Sequence, residues 1–298
     1  MTYVKRYGYR TYEGEFRGRL YRIWSIFSFH LVRSLTLSGW TKLITGAYLF
    51  LLILFHSGFV FSVQMYGDFE TGYLEATFFI LNNPLIILFL IVFVGLVGSP
   101  LFADDILYES IDTYRSRVSV LEYICGKFLS LFTLTCMLTL LPVIFDYFFL
   151  GFALGGNVPK RLLDAGNLEL LLQASFTATL ATLYVVSLVL AFSSGSKQRS
   201  HASAGFIIGS LAMTALVFLA TALSDEPRVL FLSPVLLIFF IAAYTFDPNW
   251  AKADESGFAV NESNPLASVG GIEVFLFTGV IIAICWFIIL YFLWYVRE

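Results

Sequence analysis

Charged side chains are scarce in this chain: only 13% of its 298 residues are Asp, Glu, Lys or Arg, against 58% hydrophobic and 18% aromatic. An average soluble domain carries about 25% charged residues, so the composition excludes an ordinary water-facing surface. Cysteine is nearly absent as well. Cys125, Cys136 and Cys285 lie in or beside apolar runs with no CxxC and no Cys/His spacing, so neither zinc nor a disulfide framework is suggested and they read as small buried hydrophobes. No GxxxxGK[ST] phosphate loop, HExxH or GxSxG motif occurs, and polar residues are scattered rather than gathered at one depth. No catalytic residue, metal ligand or bound cofactor is assigned, and the chain is not expected to be an enzyme. No nucleic-acid partner is expected either; the net charge of −3 by itself says little about partners.

What the chain has instead is long, predominantly apolar runs, the third of them interrupted by Asp146. A bilayer core of about 30 Å needs about 20 apolar residues in a helix rising 1.5 Å per residue. Six runs qualify: Leu43 to Met65, Pro84 to Ala103, Ile124 to Phe149, Leu168 to Phe192, Ala202 to Leu223, and about 272 to 296. The sequence thus predicts an all-α membrane protein, with membrane lipid as its surroundings: a tail over residues 1–42, then a six-span domain over 43–298. Residues 1 to 40 carry many charges and no apolar h-region, so no cleavable leader is expected.

The basic residues set an orientation. With the N-terminal tail in the cytoplasm, only Lys160, Arg161, Arg228 and Lys252 of the 18 basic residues fall outside, the asymmetry the positive-inside rule predicts for both termini in the cytoplasm of a cell membrane. A shorter run, Val229 to Phe246, would break that parity if it crossed. It follows polar Ser224 to Arg228 and contains Ser233 and Pro234, so it is read as a re-entrant or interfacial element on the outer side; a seventh span is the alternative. The polar segment Asp247 to Ser268 beside it reads as an outer cap, and its Asn261-Glu262-Ser263 sequon as chance.

Two polar segments stand out. In Tyr12 to Arg33, Leu20, Ile23, Trp24, Ile26, Phe27 and Leu31 alternate with Arg17, Arg19, Arg22 and His30, the pattern of a basic amphipathic helix lying in the cytoplasmic interface. The stretch from Ala103 to Lys127 is too polar for lipid and too long for a simple turn, which predicts a folded hairpin between spans 2 and 3. Asp104, Asp105 and Glu109 precede Tyr114, Arg115, Ser116 and Arg117, an order that suits the macrodipole of a short helix.

These two segments resemble the ABC type 2 transporter permeases, the membrane subunits of ATP-binding-cassette exporters. The loop matches that family at Asp104, Asp105, Tyr114, Ser116, Arg117, Glu122, Tyr123, Gly126 and Lys127. The N-terminal pattern GYRxYEGxxxGRxxR matches at Gly8, Tyr9, Arg10, Tyr12, Glu13, Gly14, Gly18, Arg19 and Arg22. Val118 departs, standing where the family usually has proline. The resemblance covers about 40 residues; the spans agree only in number and placement. It implies a permease working as a pair of chains, homodimer or with a paralogue, around a central pathway. Each chain sits on a separate nucleotide-binding ATPase subunit that holds ATP and Mg. The loop then acts as a coupling helix, and Glu109, Asp112, Tyr114, Arg115, Ser116 and Arg117 are the expected contacts to that ATPase.

Gly205 and Gly209, extended by Ala202, Ala212 and Ala215, form a small-residue face that suits either a seam between permease chains or packing within one chain. His56, Asp146 and Gln173 are the candidate polar residues of a pathway. Asp146, near the outer end of its span, is expected to reach interfacial water. Two other functions stay open: a membrane-embedded enzyme acting on lipid through Asp146 or His56, and an ATPase-coupled scaffold or sensor that transports nothing.

Overall fold

The computed structural model describes residues 18–35, 42–43, 45–50, 73, 83–108, 118–154, 157–224, 227–246 and 270–295. Among them every regular element is helical and there is no strand. The helices are α1 (Arg19–Leu35), α2 (Pro84–Leu107), α3 (Val120–Ala153), α4 (Val158–Leu162), α5 (Ala165–Gly195), α6 (Arg199–Ser224), α7 (Pro234–Phe246) and α8 (Gly271–Leu290). A 3-10 turn, Pro227–Leu232, leads into α7, and a π-helical turn, Tyr291–Tyr295, ends α8.

Five helices, α2, α3, α5, α6 and α8, are long and apolar enough to cross a membrane. Each matches an expected run, and α2, α3, α5 and α6 extend past theirs into polar sequence. The first expected run, 43 to 65, lies mostly outside the described residues, which show helical backbone at 45–50. At 34 residues, α3 is about 51 Å long against an apolar core of about 30 Å, so its ends must stand clear of lipid. The 13 residues of α7 reach only about 20 Å, too short to span. Ser233 and Pro234 break the Val229–Phe246 run as the sequence suggests: the Ser233 hydroxyl accepts the Leu236 N–H at 3.2 Å and meets Thr214 Oγ1 at 2.8 Å.

Helix α5 is the centre of the bundle, packed by α2, α3, α6, α7 and α8. Tyr184, Val185, Val186, Val189 and Leu190 are buried along it. By contrast α6 and α8 leave Ile208, Leu216, Leu219, Ile272, Leu276 and Phe287 exposed, an apolar outer surface that suits lipid as solvent and would aggregate in water. Polar bonds inside the bundle join separate helices. Thr139 and Thr182 join α3 to α5 at 2.8 Å. Tyr48 donates to the Leu138 carbonyl at 3.2 Å, the acceptor that Pro142 leaves without its helical partner.

The second internal proline shapes α2. Beyond Pro100 the turn is opened by a side chain from α5. The Phe102 and Ala103 N–H groups donate to Ser193 Oγ at 3.0 and 3.2 Å, and that hydroxyl donates to the Ser99 carbonyl at 2.7 Å. One hydroxyl has one donor and two acceptor sites, so Ser193 uses all three on the backbone of a helix that is not its own.

Candidate functional site

The expected hairpin between Ala103 and Lys127 is organised differently. Residues through Leu107 continue α2, and α3 begins at Val120, so Asp104 and Asp105 occupy the last turn of a long helix rather than the start of a short one. Carboxylates at that end oppose the helix dipole and need outside cations. They have them, from α3 and from α1.

Fully buried Lys127 of α3 donates to Asp105 Oδ2, to the Leu101 carbonyl and, at 2.8 Å, to Tyr123 Oη. Tyr123 in turn donates to the same Asp105 oxygen at 2.6 Å. The ammonium also lies 4.5 Å from the Tyr123 ring centroid and 5.2 Å from that of Phe102, so donors, acceptors and ring faces all compensate its removal from water. Asp104 takes Arg33 of α1, at 3.2 Å.

The start of α3 is fixed by a capping box. Ser119 Oγ accepts the Glu122 N–H at 3.3 Å, and Glu122 Oε2 accepts the Ser119 N–H at 3.1 Å. The other Glu122 oxygen accepts from Arg22 of α1 at 2.8 Å, with Arg19 at 3.8 Å. Arg22 and Arg33, about three turns apart on α1, therefore clasp the first turn of α3 and the last turn of α2.

Between these clasps α1 packs closely on α3. A Cβ added at Gly126 would lie 2.7 Å from Ile26 Cβ, so only glycine allows this approach. One turn on, His30 is buried, and neither ring nitrogen has a hydrogen-bond partner among the described residues. Desolvation first, then the positive charges of Lys127 and Arg33, push its pKa down from 6.5 to about 3, against an opposing pull from Asp105; the imidazole is neutral. α1 is strongly amphipathic, as the sequence suggests, and also leaves Leu20, Trp24 and Val32 exposed.

The expected contact residues Glu109, Asp112, Tyr114, Arg115, Ser116 and Arg117 lie outside the described residues, as does His56. The described residues on either side of them, Asp104 and Asp105 before and Glu122 and Lys127 after, belong to the cluster just described. Asp146 differs from expectation: it is only 2% exposed, because α3 is covered there, and does not reach interfacial water. It sits 19 residues from Lys127, about 28 Å along α3, so the cluster and Asp146 are separate sites. Gln173 is half-buried on α5. Gly205 is exposed and Gly209 half-buried, and added Cβ atoms there would meet the Phe192 ring at 3.7 and 3.9 Å, while Ala212 is exposed. Among the described residues no group of His, Cys, Asp and Glu could hold a metal ion.

The residues sequence reasoning passed over as contacts, Arg22, Arg33, Asp104, Asp105, Glu122 and Lys127, form the built site. A polar residue recurring at the lip of each apolar run was the available signal. Five helices able to cross a bilayer, with a charged cluster at one end, define the class: a polytopic helical protein built for a membrane. No family model matches the chain, and no curated protein matches it.

Proposed function

We propose that this chain is the permease subunit of an ATP-driven exporter of the ABC type 2 class, pairing with a second permease chain and driven by a separate ATPase subunit. The observation that carries the reading is the charged cluster that joins the described residues on either side of 109–117, Asp104 and Asp105 before it and Glu122 and Lys127 after it, and ties both to α1. Motif residues that lie far apart in sequence, Arg19 and Arg22 with Asp104, Asp105, Glu122, Tyr123, Gly126 and Lys127, are those that build it. A segment on a rigid base can transmit force; one on a loose hinge cannot.

In this reading both termini are cytoplasmic, the run 43 to 65 supplies the first of six spans, and α7 is the outer re-entrant element. The ATPase binds Glu109, Asp112, Tyr114, Arg115, Ser116 and Arg117 through charge-assisted hydrogen bonds. ATP-dependent contacts there shift the populations of the membrane conformations, which requires different contacts in each state. The Gly205, Gly209 and Ala212 face, largely uncovered in the single chain, meets the second permease. A lipid-modifying enzyme is less well supported, since Asp146 stands about 28 Å from the charged cluster.

Co-purification with an ATPase subunit that associates with the chain tests the proposal. Charge reversal at Arg115 and Arg117 is expected to lower both complex recovery and stimulated ATP hydrolysis. If both remain at wild-type levels, the segment is not the coupling element. Reconstituted vesicles that hydrolyse ATP in the complex but move no solute would favour the scaffold alternative.

A further inference from the structure

Between α2 and α6 lies an open cleft of about 850 Å³. The two helices cross closely at Gly95, where an added Cβ would come within 2.8 Å of Ile207 Cγ1 and where Ser203 Oγ donates to the Gly95 carbonyl at 3.2 Å. From that crossing the cleft runs to the start of α6. Its walls are apolar, Leu96 and Leu107 from α2 and Ala204, Ile207 and Ile208 from α6, and its rim carries Arg199 and Ser200. Among the described residues no acidic side chain lines it. Arg199 is exposed and makes no ion pair among the described residues, and Lys197 is exposed two residues away.

We propose that this cleft is a binding site for one anionic phospholipid, its phosphate held at Arg199 and one acyl chain laid along Ile207 and Ile208. Arg199 to Ile208 covers about 13 Å of helix, close to the roughly 15 Å depth of one leaflet's hydrocarbon. The volume is within the ~300–1,000 Å³ of small-molecule sites. An apolar wall between two membrane-spanning helices, topped by an unpaired guanidinium, matches a lipid in both parts: the chain fills what water cannot wet, and the headgroup supplies the missing anion. The proposal needs only that α2 and α6 span a membrane, and is independent of any role in transport.

Native mass spectrometry of the full chain in detergent, with added phosphatidylglycerol, phosphatidylcholine or inorganic phosphate, tests it. The wild type is expected to retain phosphatidylglycerol about five-fold more than phosphatidylcholine, the weight of one basic residue at an anionic surface. Arg199→Gln should remove that preference while still binding both lipids. Filling the cleft from either wall, with Ala204→Phe or Leu107→Trp, should reduce retention of both; two variants on different helices guard against misfolding of one, and each is checked by its unfolding temperature. Equal retention of the two lipids by the wild type would overturn the proposal, as would unchanged phosphatidylglycerol retention in both filled variants that fold. Displacement of the lipid by millimolar inorganic phosphate would show a free-anion site instead, and loss of lipid whenever two copies associate would show a protein seam.

Discussion

Arg22 on α1 and Glu122 at the start of α3, a hundred positions apart in the chain, meet at 2.8 Å. Glu122 is also half of the capping box that begins α3, so one carboxylate both starts a membrane helix and anchors the amphipathic helix beside it. Arg22 is 30% exposed, and its ion pair is worth at most about 1 kcal/mol after screening. The cap is worth about 1 kcal/mol more. Glu122→Ala is thus expected to cost about 2 kcal/mol and Arg22→Ala about half as much. Thermal unfolding of the purified chain orders the two; equal losses would mean the cap contributes nothing.

The Lys127–Asp105 pair makes a sharper prediction. Removing one partner leaves a charge in the bundle, at a cost of about 3–5 kcal/mol, whereas replacing both with apolar residues of similar volume is often neutral. Lys127→Met and Asp105→Leu are each expected to unfold the chain at markedly lower temperature. The double variant should recover most of that loss. A double-mutant cycle reads the coupling directly, and additive losses would contradict the packing described.

His30 gives a pH dependence whose sign is fixed. Its pKa is about 3 in the fold against 6.5 ordinarily, so between those values the unfolded chain binds a proton that the folded chain does not. The stabilisation from keeping His30 neutral is full above pH 6.5 and is lost as pH falls towards 3. At pH 5 the loss is about 2 kcal/mol, from 1.36 kcal/mol per unit. His30→Leu should flatten the fall in unfolding temperature between pH 7 and pH 5 relative to wild type, because no proton can then enter the α1–α3 interface. Parallel curves for the two proteins would show that the imidazole is protonated in the fold.

Ser193 closes the turn of α2 that follows Pro100. Ser193→Ala leaves two N–H groups and one carbonyl without that partner, and unmade buried hydrogen bonds cost about 1–3 kcal/mol. Amide exchange at Phe102 and Ala103 should accelerate while exchange near Leu90 holds. Ser193→Thr, which keeps the hydroxyl, is the control, and equal exchange in the alanine variant and wild type would deny the bridge.

The helices were legible where one physical rule dominates. Runs such as Pro84 to Ala103 are uncharged for the length of a bilayer core, and α1 announced itself by aromatic residues alternating with arginine. The ends of the helices were not legible. Asp104 and Asp105 look like loop residues because isolated carboxylates avoid lipid, and only tertiary pairing with Arg33 and Lys127 lets α2 continue through them. Asp146 was misjudged for a related reason: sequence places it near a helix end but does not show which neighbours cover it. The Ser193 bridge spans more than ninety positions, and no local pattern marks a serine that completes another helix's backbone. Arg22 and Arg33 of α1 pair with carboxylates of α3 and α2, which composition cannot tell from arginines that face phosphate.

If the chain is the permease proposed above, the two clasps on α1 tie its stroke to whatever surrounds that helix. With Arg33 on Asp104 and Arg22 on Glu122, a push on the 109–117 segment moves α2 and α3 only if α1 travels as well. Leu20 and Trp24 point away from the protein, so that travel drags α1 through whatever surrounds it. Stiffness of the neighbouring headgroup layer would then act as a mechanical load on the stroke, and the same chain would move more slowly in a tightly packed bilayer than in a fluid one.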